Sequence, residues 1–177
     1  MKIVGVVLAA GAGRRYGKPK VLVDGWLDIA VQALRDGGCD DIVLVLGAAE
    51  VAAPPGVVVV TAADWEDGLS ASVRAGLKQA DSMRADYAVL HVVDTPDVGA
   101  PVVSRVIKRA LASRRGIARV HFGDRPGHPV VLARRHWPDV LANISGDSGA
   151  GAYLNSRDDV EAVECSDLAS GRDIDEP

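Results

Sequence analysis

Two rhythms of apolar and polar positions alternate along the chain. Residues 3–9 (IVGVVLA), 41–47 (DIVLVLG), 57–61 (VVVVT) and 86–94 (DYAVLHVVD) are apolar runs of strand length. Continuous runs of this kind are expected of strands buried on both faces. Between them, residues 26–36 (WLDIAVQALRD), 70–80 (SASVRAGLKQA) and 101–115 (PVVSRVIKRALASRR) carry apolar residues at helical spacing, as in Leu27, Val31 and Leu34. Pro101 suits a first helical turn, and the Arg and Lys residues at the end of that segment suit a last one. Further on, 117–122 and 129–133 read as short strands around a Gly/Pro loop. Residues 136–144 and 149–156 read as helices and 160–165 as a last strand. The stretch 48–56, with Pro54, Pro55 and Gly56, reads as a surface turn.

Strands alternating with helices predict one α/β domain over 1–177, Rossmann-like in three layers around a mostly parallel, mixed sheet. In such sheets ligands sit beyond the carboxyl ends of the strands, so the segments after the strands are where chemistry is expected. The first strand is followed by Ala9-Ala10-Gly11-Ala12-Gly13-Arg14-Arg15-Tyr16-Gly17-Lys18-Pro19-Lys20. Three glycines allow close backbone approach, and four cations share the same loop. Backbone donors together with cations suit a polyphosphate. The spacing is not that of a P-loop, which needs glycine at Ala12 and Ser or Thr at Pro19. Nor is it the dinucleotide fingerprint, whose third glycine comes one residue earlier than Gly17. That spacing and the cation-rich loop argue against an NAD-binding oxidoreductase. Pro19 keeps Lys18 from helical angles, so an extended loop that wraps its ligand is expected.

Composition removes other classes. Glycine, at 19 of 177 residues, is above the usual level of about 7%, while aromatics make up 4%. A net charge of −4 offers no general nucleic-acid footprint. No apolar run reaches the roughly 18 residues of a membrane helix. The two cysteines, Cys39 and Cys165, are far apart and form no C-x-x-C, as expected of buried thiols in a reducing cytoplasm.

The segment LAAGAGRRYGKPK resembles the signature of the MobA-like nucleotidyltransferases, L-A-A-G-x-[GS]-x-R-x-G-x-x-K. It meets every fixed position: Leu8, Ala9, Ala10, Gly11, Gly13, Arg15, Gly17 and Lys20. The resemblance continues in DGLSASVRAGL (67–77), DTPDV (94–98), RPGHPVVLARRHWPDVLANISGDSGA (125–150) and GRDIDEP (171–177). The last two are similar to the molybdenum-cofactor cytidylyltransferase branch. The resemblance implies transfer of a nucleotidyl group from CTP or GTP to a phosphorylated acceptor such as molybdopterin, with release of pyrophosphate. It makes Lys20 and Arg15 the triphosphate-neutralising residues, leaving Arg14 and Lys18 as solvated rim charges. It places nucleotide contacts at residues 8–13 (Ala12 included), Gly17, Gly68, Ser70 and Ser72.

Mg²⁺ takes one or two carboxylates plus substrate phosphates. Asp94 ends a strand and is the first candidate, with Asp173 or Asp175 from GRDIDEP as the second. That acidic stretch reads equally as a frayed tail. Ser70 fits a helix N-cap as well as a nucleotide contact. His128 and Asp147 fall in the acceptor-side segments. His91, inside a strand, reads as core. LAAG at residues 8–11 leans towards CTP by resemblance. Two departures from the family stand out: a short stretch between Lys20 and Trp26, and TPDV after Asp94. The short stretch after Lys20, together with a chain that ends at GRDIDEP, motivates an alternative, a catalytically weak module that binds a nucleotide or cofactor and delivers it to a molybdoenzyme. A nucleotidyltransferase for another sugar or polyol phosphate is a further alternative.

Overall fold

In the computed structural model, which describes residues 1–177, seven strands form one sheet in the order β3-β2-β1-β4-β6-β5-β7. They are β1 (Ile3–Leu8), β2 (Asp41–Leu46), β3 (Val58–Thr61), β4 (Tyr87–Val92), β5 (Ile117–Phe122), β6 (Arg125–Ala133) and β7 (Glu161–Glu164). Only β6 runs against the rest: it pairs antiparallel with both β4 and β5, and every other ladder is parallel. Five helices cover the sheet: α1 (Trp26–Gly37), α2 (Leu69–Ser82), α3 (Ala100–Ala112), α4 (Trp137–Asn143) and α5 (Gly151–Asn155).

Alternate residues of the central strands feed two cores, as period-two geometry requires. Ile3 and Val7 of β1 face α1 and α3, packing with Leu34, Val103 and Val106. Val4, Val6 and Leu8 face α2, α4 and α5, packing with Val73, Leu77, Val140 and Tyr153. Helix α1 lies close on the sheet because Gly5 has no side chain: a Cβ there would stand 2.9 Å from Leu34 Cδ1 and 3.1 Å from Cys39 Sγ. Both cysteines are buried free thiols.

The structure departs from the sequence reading in two strands. Residues 57–61 were expected to be buried, but β3 is a sheet edge with Val58 and Val59 exposed. Four consecutive valines mark β propensity, which holds as well at an edge as in the centre. Residues 125–128 were expected to be a Gly/Pro loop, yet β6 begins at Arg125. In this stretch Arg119 pairs with Val130 and His121 with Pro126. Gly127, His128 and Pro129 therefore bulge opposite Val120, with the His128–Pro129 peptide cis. A bulge accommodates proline and re-aims side chains within a strand.

The last seven residues are not a frayed tail. The Asp97 carboxylate accepts hydrogen bonds from Ser170 N (2.7 Å), Ser170 Oγ (2.7 Å) and Gly171 N (3.2 Å). Ile174 N donates to Asp94 O at 2.9 Å. Gly171, at φ +61°, passes the Phe122 ring so closely that a Cβ would fall 2.0 Å from Cε2. Hydrogen bonds to a charged acceptor contribute about 1.5–3 kcal/mol each when buried, and less at an exposed site such as this one. Asp97→Ala is expected to release residues 170–177, seen as faster protease cleavage there and a small drop in Tm.

Candidate functional site

The chain winds outward from β1 to β2 and β3 and then returns to lay β4 against β1. Strand order reverses between β1 and β4, and a crevice opens at their carboxyl ends, where doubly wound sheets bind ligands. Here the crevice is a cavity of about 580 Å³, within the size range of small-molecule sites. Its walls are the loop after β1, the loop after β4, the start of α2, the β6 bulge and the chain's last residues.

Most of the expected site residues meet in this cavity. Leu8, Ala9, Ala10, Gly11, Ala12, Gly13, Arg15, Lys20, Gly68, Ser72, Asp94, His128, Asp147, Asp173 and Asp175 all line it. Gly17 and Ser70 do not. Gly17 instead closes the loop's own turn, donating from N to Gly13 O at 2.8 Å. Ser70 is buried outside this cavity, and its N–H donates to Gly146 O at 3.0 Å. Nor is Ser70 the N-cap of α2. Gly68 holds that position at φ +103°, and no side chain caps the helix. A Cβ on Gly68 would lie 2.2 Å from Asp147 Oδ1, so the 146–147 turn packs directly against this helix start and leaves no room for a capping side chain.

Six lining residues escaped the sequence reading: Val21, Trp65, Glu66, Leu69, Val92 and Val93; Arg14, expected on the rim, also lines the cavity. Trp65 packs where Gly47 has no side chain, its Cβ 2.5 Å from the place a Gly47 Cβ would take. An aromatic just ahead of Gly68 in an aromatic-poor chain was the available signal.

The loop after β1 is held by Gly13, whose φ of +62° favours glycine. A Cβ at Gly13 would fall 1.9 Å from Lys18 O. Gly13→Ala therefore forces the loop open. The strain of about 1–3 kcal/mol is expected to appear as roughly tenfold or greater loss of nucleotide affinity with little change in Tm, measured by calorimetric titration.

Lys20 is the electrostatic centre. Its Nζ donates to Asp94 Oδ2 and to Asp175 Oδ1, both at 2.8 Å, and Arg15 Nη2 lies 3.3 Å from Asp175 Oδ1. Burial opposes charge on Lys20, but the hydrogen bonds to Asp175 and Asp94 outweigh it and hold the ammonium pKa above its ordinary value. The Lys20 hydrogen bond holds Asp175 below the usual carboxylate range. Asp173, half-buried, is pushed up, first by burial and then by the charges of Asp94 and Asp175.

This donor set fits a divalent cation. Hard carboxylate oxygens gather in one pocket, negative charge exceeds what Lys20 alone offsets, and the ammonium itself stands as a cation between two carboxylates. The side chains do not converge as a ready three-ligand shell. Two carboxylates completed by phosphate oxygens is the arrangement they support.

His128 also lines the cavity. Burial, with help from Arg119 and against Asp94, pulls it down to about 4. His91, fully buried in β4 with Nδ1 unpartnered, is pulled down to about 3 by burial and by His128. Both are neutral at neutral pH, whereas in the unfolded chain they titrate near 6.5. Below that pH the unfolded chain takes up protons that the folded chain refuses. Stability is therefore expected to be full above pH 6.5 and to fall as pH drops towards 4. His91→Leu should flatten part of that fall in Tm measured against pH.

Comparison with known proteins gives the same picture of the fold. A curated relative, "Nicotine blue oxidoreductase" of Paenarthrobacter nicotinovorans, is 32% identical over 98% of this chain and 92% of its own length. The crystal structure of Rv0371c from Mycobacterium tuberculosis is 30% identical, covering 99% of this chain and 94% of that one, with a TM-score of 0.80. A manganese complex of Rv0371c aligns at 28% identity over 93% and 89% of the two chains, with a TM-score of 0.73. A nucleotidyl transferase from Methanothermobacter thermautotrophicus shares the fold at 21% identity, covering 99% and 92%, with a TM-score of 0.81. No helix of this chain is long and apolar enough to cross a membrane. The MobA-like NTP transferase domain model matches residues 5–160, from the first strand through the glycine loop and the β6 bulge, and the chain thus belongs to the MobA-like NTP transferase family, as a nucleotidyltransferase.

Proposed function

We propose that this nucleotidyltransferase moves an NMP group, CMP by preference, from an Mg²⁺-bound NTP to a phosphorylated acceptor of the molybdopterin class. The carrying observation is Lys20, held at 2.8 Å from both Asp94 and Asp175 at the mouth of a glycine loop that also carries Arg15. LAAG at residues 8–11 supports CTP, and the segments 125–150 and 171–177 support the acceptor class, both by resemblance. The NTP and the two free thiols suit the cytoplasm.

In the reaction an oxygen of the acceptor phosphate bonds to the α-phosphorus. The bond from that phosphorus to the α–β bridging oxygen breaks, and pyrophosphate leaves with the electron pair. Asp94 and Asp175, with Asp173 beside them, would hold Mg²⁺, which neutralises charge on the phosphates. Lys20, which stands between Asp94 and Asp175, would neutralise the triphosphate. Arg15 joins it from the loop, and the backbone N–H groups of residues 9–13 orient the phosphates. Leu8 and Ser72 border the nucleotide; neutral His128 and Asp147 border the acceptor.

The test is pyrophosphate release with each NTP, Mg²⁺ or Mn²⁺, and a panel of acceptors that includes molybdopterin and polyol phosphates. Release with CTP and molybdopterin supports the full proposal. Release with another acceptor alone keeps nucleotidyl transfer and replaces the acceptor. The 32%-identical relative named as a nicotine blue oxidoreductase motivates a second reading, redox chemistry on nicotine blue or a similar compound. The loop spacing and the cation–carboxylate cluster favour phosphate chemistry instead. Redox turnover of nicotine blue without pyrophosphate release would favour that reading.

A further inference from the structure

The chain has three Trp, three Tyr and one Phe, and of these only Trp65 lines the cavity. The other two tryptophans are engaged by the protein itself. Trp137 is buried and its indole N–H donates to Leu132 O at 3.2 Å. Trp26 packs on Tyr16 with ring centroids 5.5 Å apart. Trp65 is half-buried and pairs with no protein ring. Its backbone is fixed from both sides: Trp65 N donates to Ala62 O at 3.2 Å, and Gly68 N donates to Trp65 O at 3.1 Å. Glu66, next in the same turn, is exposed and also lines the cavity. Whereas Asp94 and Asp175 hold Lys20, Glu66 pairs with no cation.

The sheet order sets where these two side chains stand. Strands β2, β1 and β4 are neighbours in that order, each about 4.8 Å from the next. Gly47 directly follows β2, and Asp94 comes two residues after β4. Trp65 Cβ lies 2.5 Å from the place a Gly47 Cβ would take, and Ala10 Cβ lies 2.8 Å from the same point. Trp65 therefore borders the first residues of the β1 loop on the β2 side. The cluster of Asp94, Lys20 and Asp175 is anchored on the β4 side, roughly 10 Å away across the strand ends. The glycines and cations of the β1 loop lie between the two. A nucleotide with its phosphates on that loop and cluster has the β2 side left for its base.

We propose that Trp65 and Glu66 are the base-specificity residues and select cytosine over uracil. The indole stacks on the pyrimidine, and the Glu66 carboxylate accepts a hydrogen bond from the N4 amino group. The inference rests on the nucleotidyl-transfer reading and names the side chains that set its base. Every base has a π-face, so stacking on an aromatic supplies affinity without choosing among bases. The choice falls to the carboxylate. Cytosine presents a donor at N4, where uracil presents an acceptor at O4. An ionised carboxylate has acceptors only, so it pairs with the first and repels the second.

The experiment is calorimetric titration of CTP, UTP and inorganic tripolyphosphate, each with Mg²⁺. It compares the wild type with Trp65→Ala, Trp65→Phe and Glu66→Gln, and the Tm of each variant checks the fold. Trp65→Ala is expected to weaken CTP roughly tenfold or more and to leave tripolyphosphate unchanged. Trp65→Phe keeps an aromatic face and should stay close to the wild type. Glu66→Gln adds an amide donor that suits uracil O4, so the CTP-over-UTP preference should shrink about tenfold. In the wild type, saturating the indole protons of Trp65, assigned by their loss in Trp65→Phe, should transfer to H5 and H6 of bound CTP. Equal CTP affinity in Trp65→Ala, an unchanged CTP/UTP ratio in Glu66→Gln, or no transfer from the indole would each overturn the proposal. With tripolyphosphate and nucleotide still bound, those results leave the nucleotidyl-transfer reading standing. A wild type that binds neither tripolyphosphate nor any NTP overturns that reading and the base selection together.

Discussion

Lys20→Ala is expected to lower pyrophosphate release by roughly 10²–10³-fold, the usual cost of removing one preorganised group from a developing anion. The fold should survive, because Lys20 follows the loop and contributes no core packing. Two effects add. The triphosphate loses its main cation, and Asp94 and Asp175 lose the ammonium they share. Their repulsion then opposes nucleotide entry until a metal arrives. The variant should therefore depend more steeply on divalent metal than the wild type. Kinetics at several metal concentrations, with Tm as a control, check this. Unchanged activity in Lys20→Ala would remove the lysine from the mechanism.

Asp94→Asn is the second large effect. The substitution keeps size and a hydrogen-bonding oxygen but removes the charge that sits 2.8 Å from Lys20. Loss of an outer-shell partner alone costs about 10–100-fold in metal affinity. A direct ligand should cost at least that much. The expected result is a metal titration of activity displaced by that factor or more, with kcat reduced even at saturating metal. The Asp94 backbone still accepts from Ile174 N, so the chain's last residues should stay docked. Protease sensitivity of residues 170–177 is then unchanged in Asp94→Asn but raised in Asp97→Ala, which separates charge from anchoring.

What the sequence made legible was local. The loop from Ala9 to Lys20 could be read because all its glycines and cations lie within twelve residues of β1, and periodicity placed β1 and β4 beside it. The docking of the last residues could not be read. It depends on Asp97 meeting Ser170 and Gly171 across more than seventy positions, and an acidic tail looks the same docked or free. The edge position of β3 was hidden because an apolar run reports strand propensity, not the number of neighbours. The start of β6 was hidden because RPGHP reads as a turn, whereas pairing with β5 absorbs its extra residues as a bulge. Trp65 entered the cavity only through Gly47, which lies eighteen positions earlier.

The most direct measurement uses CTP labelled at the α-phosphorus, with Mg²⁺ and the acceptor panel, in wild type and Lys20→Ala. Label recovered on the acceptor in equal amount to the pyrophosphate released, and lost in the variant, is the predicted result. Label that stays in CTP with every acceptor, while the protein carries out redox turnover of nicotine blue, would contradict nucleotidyl transfer as this chain's reaction.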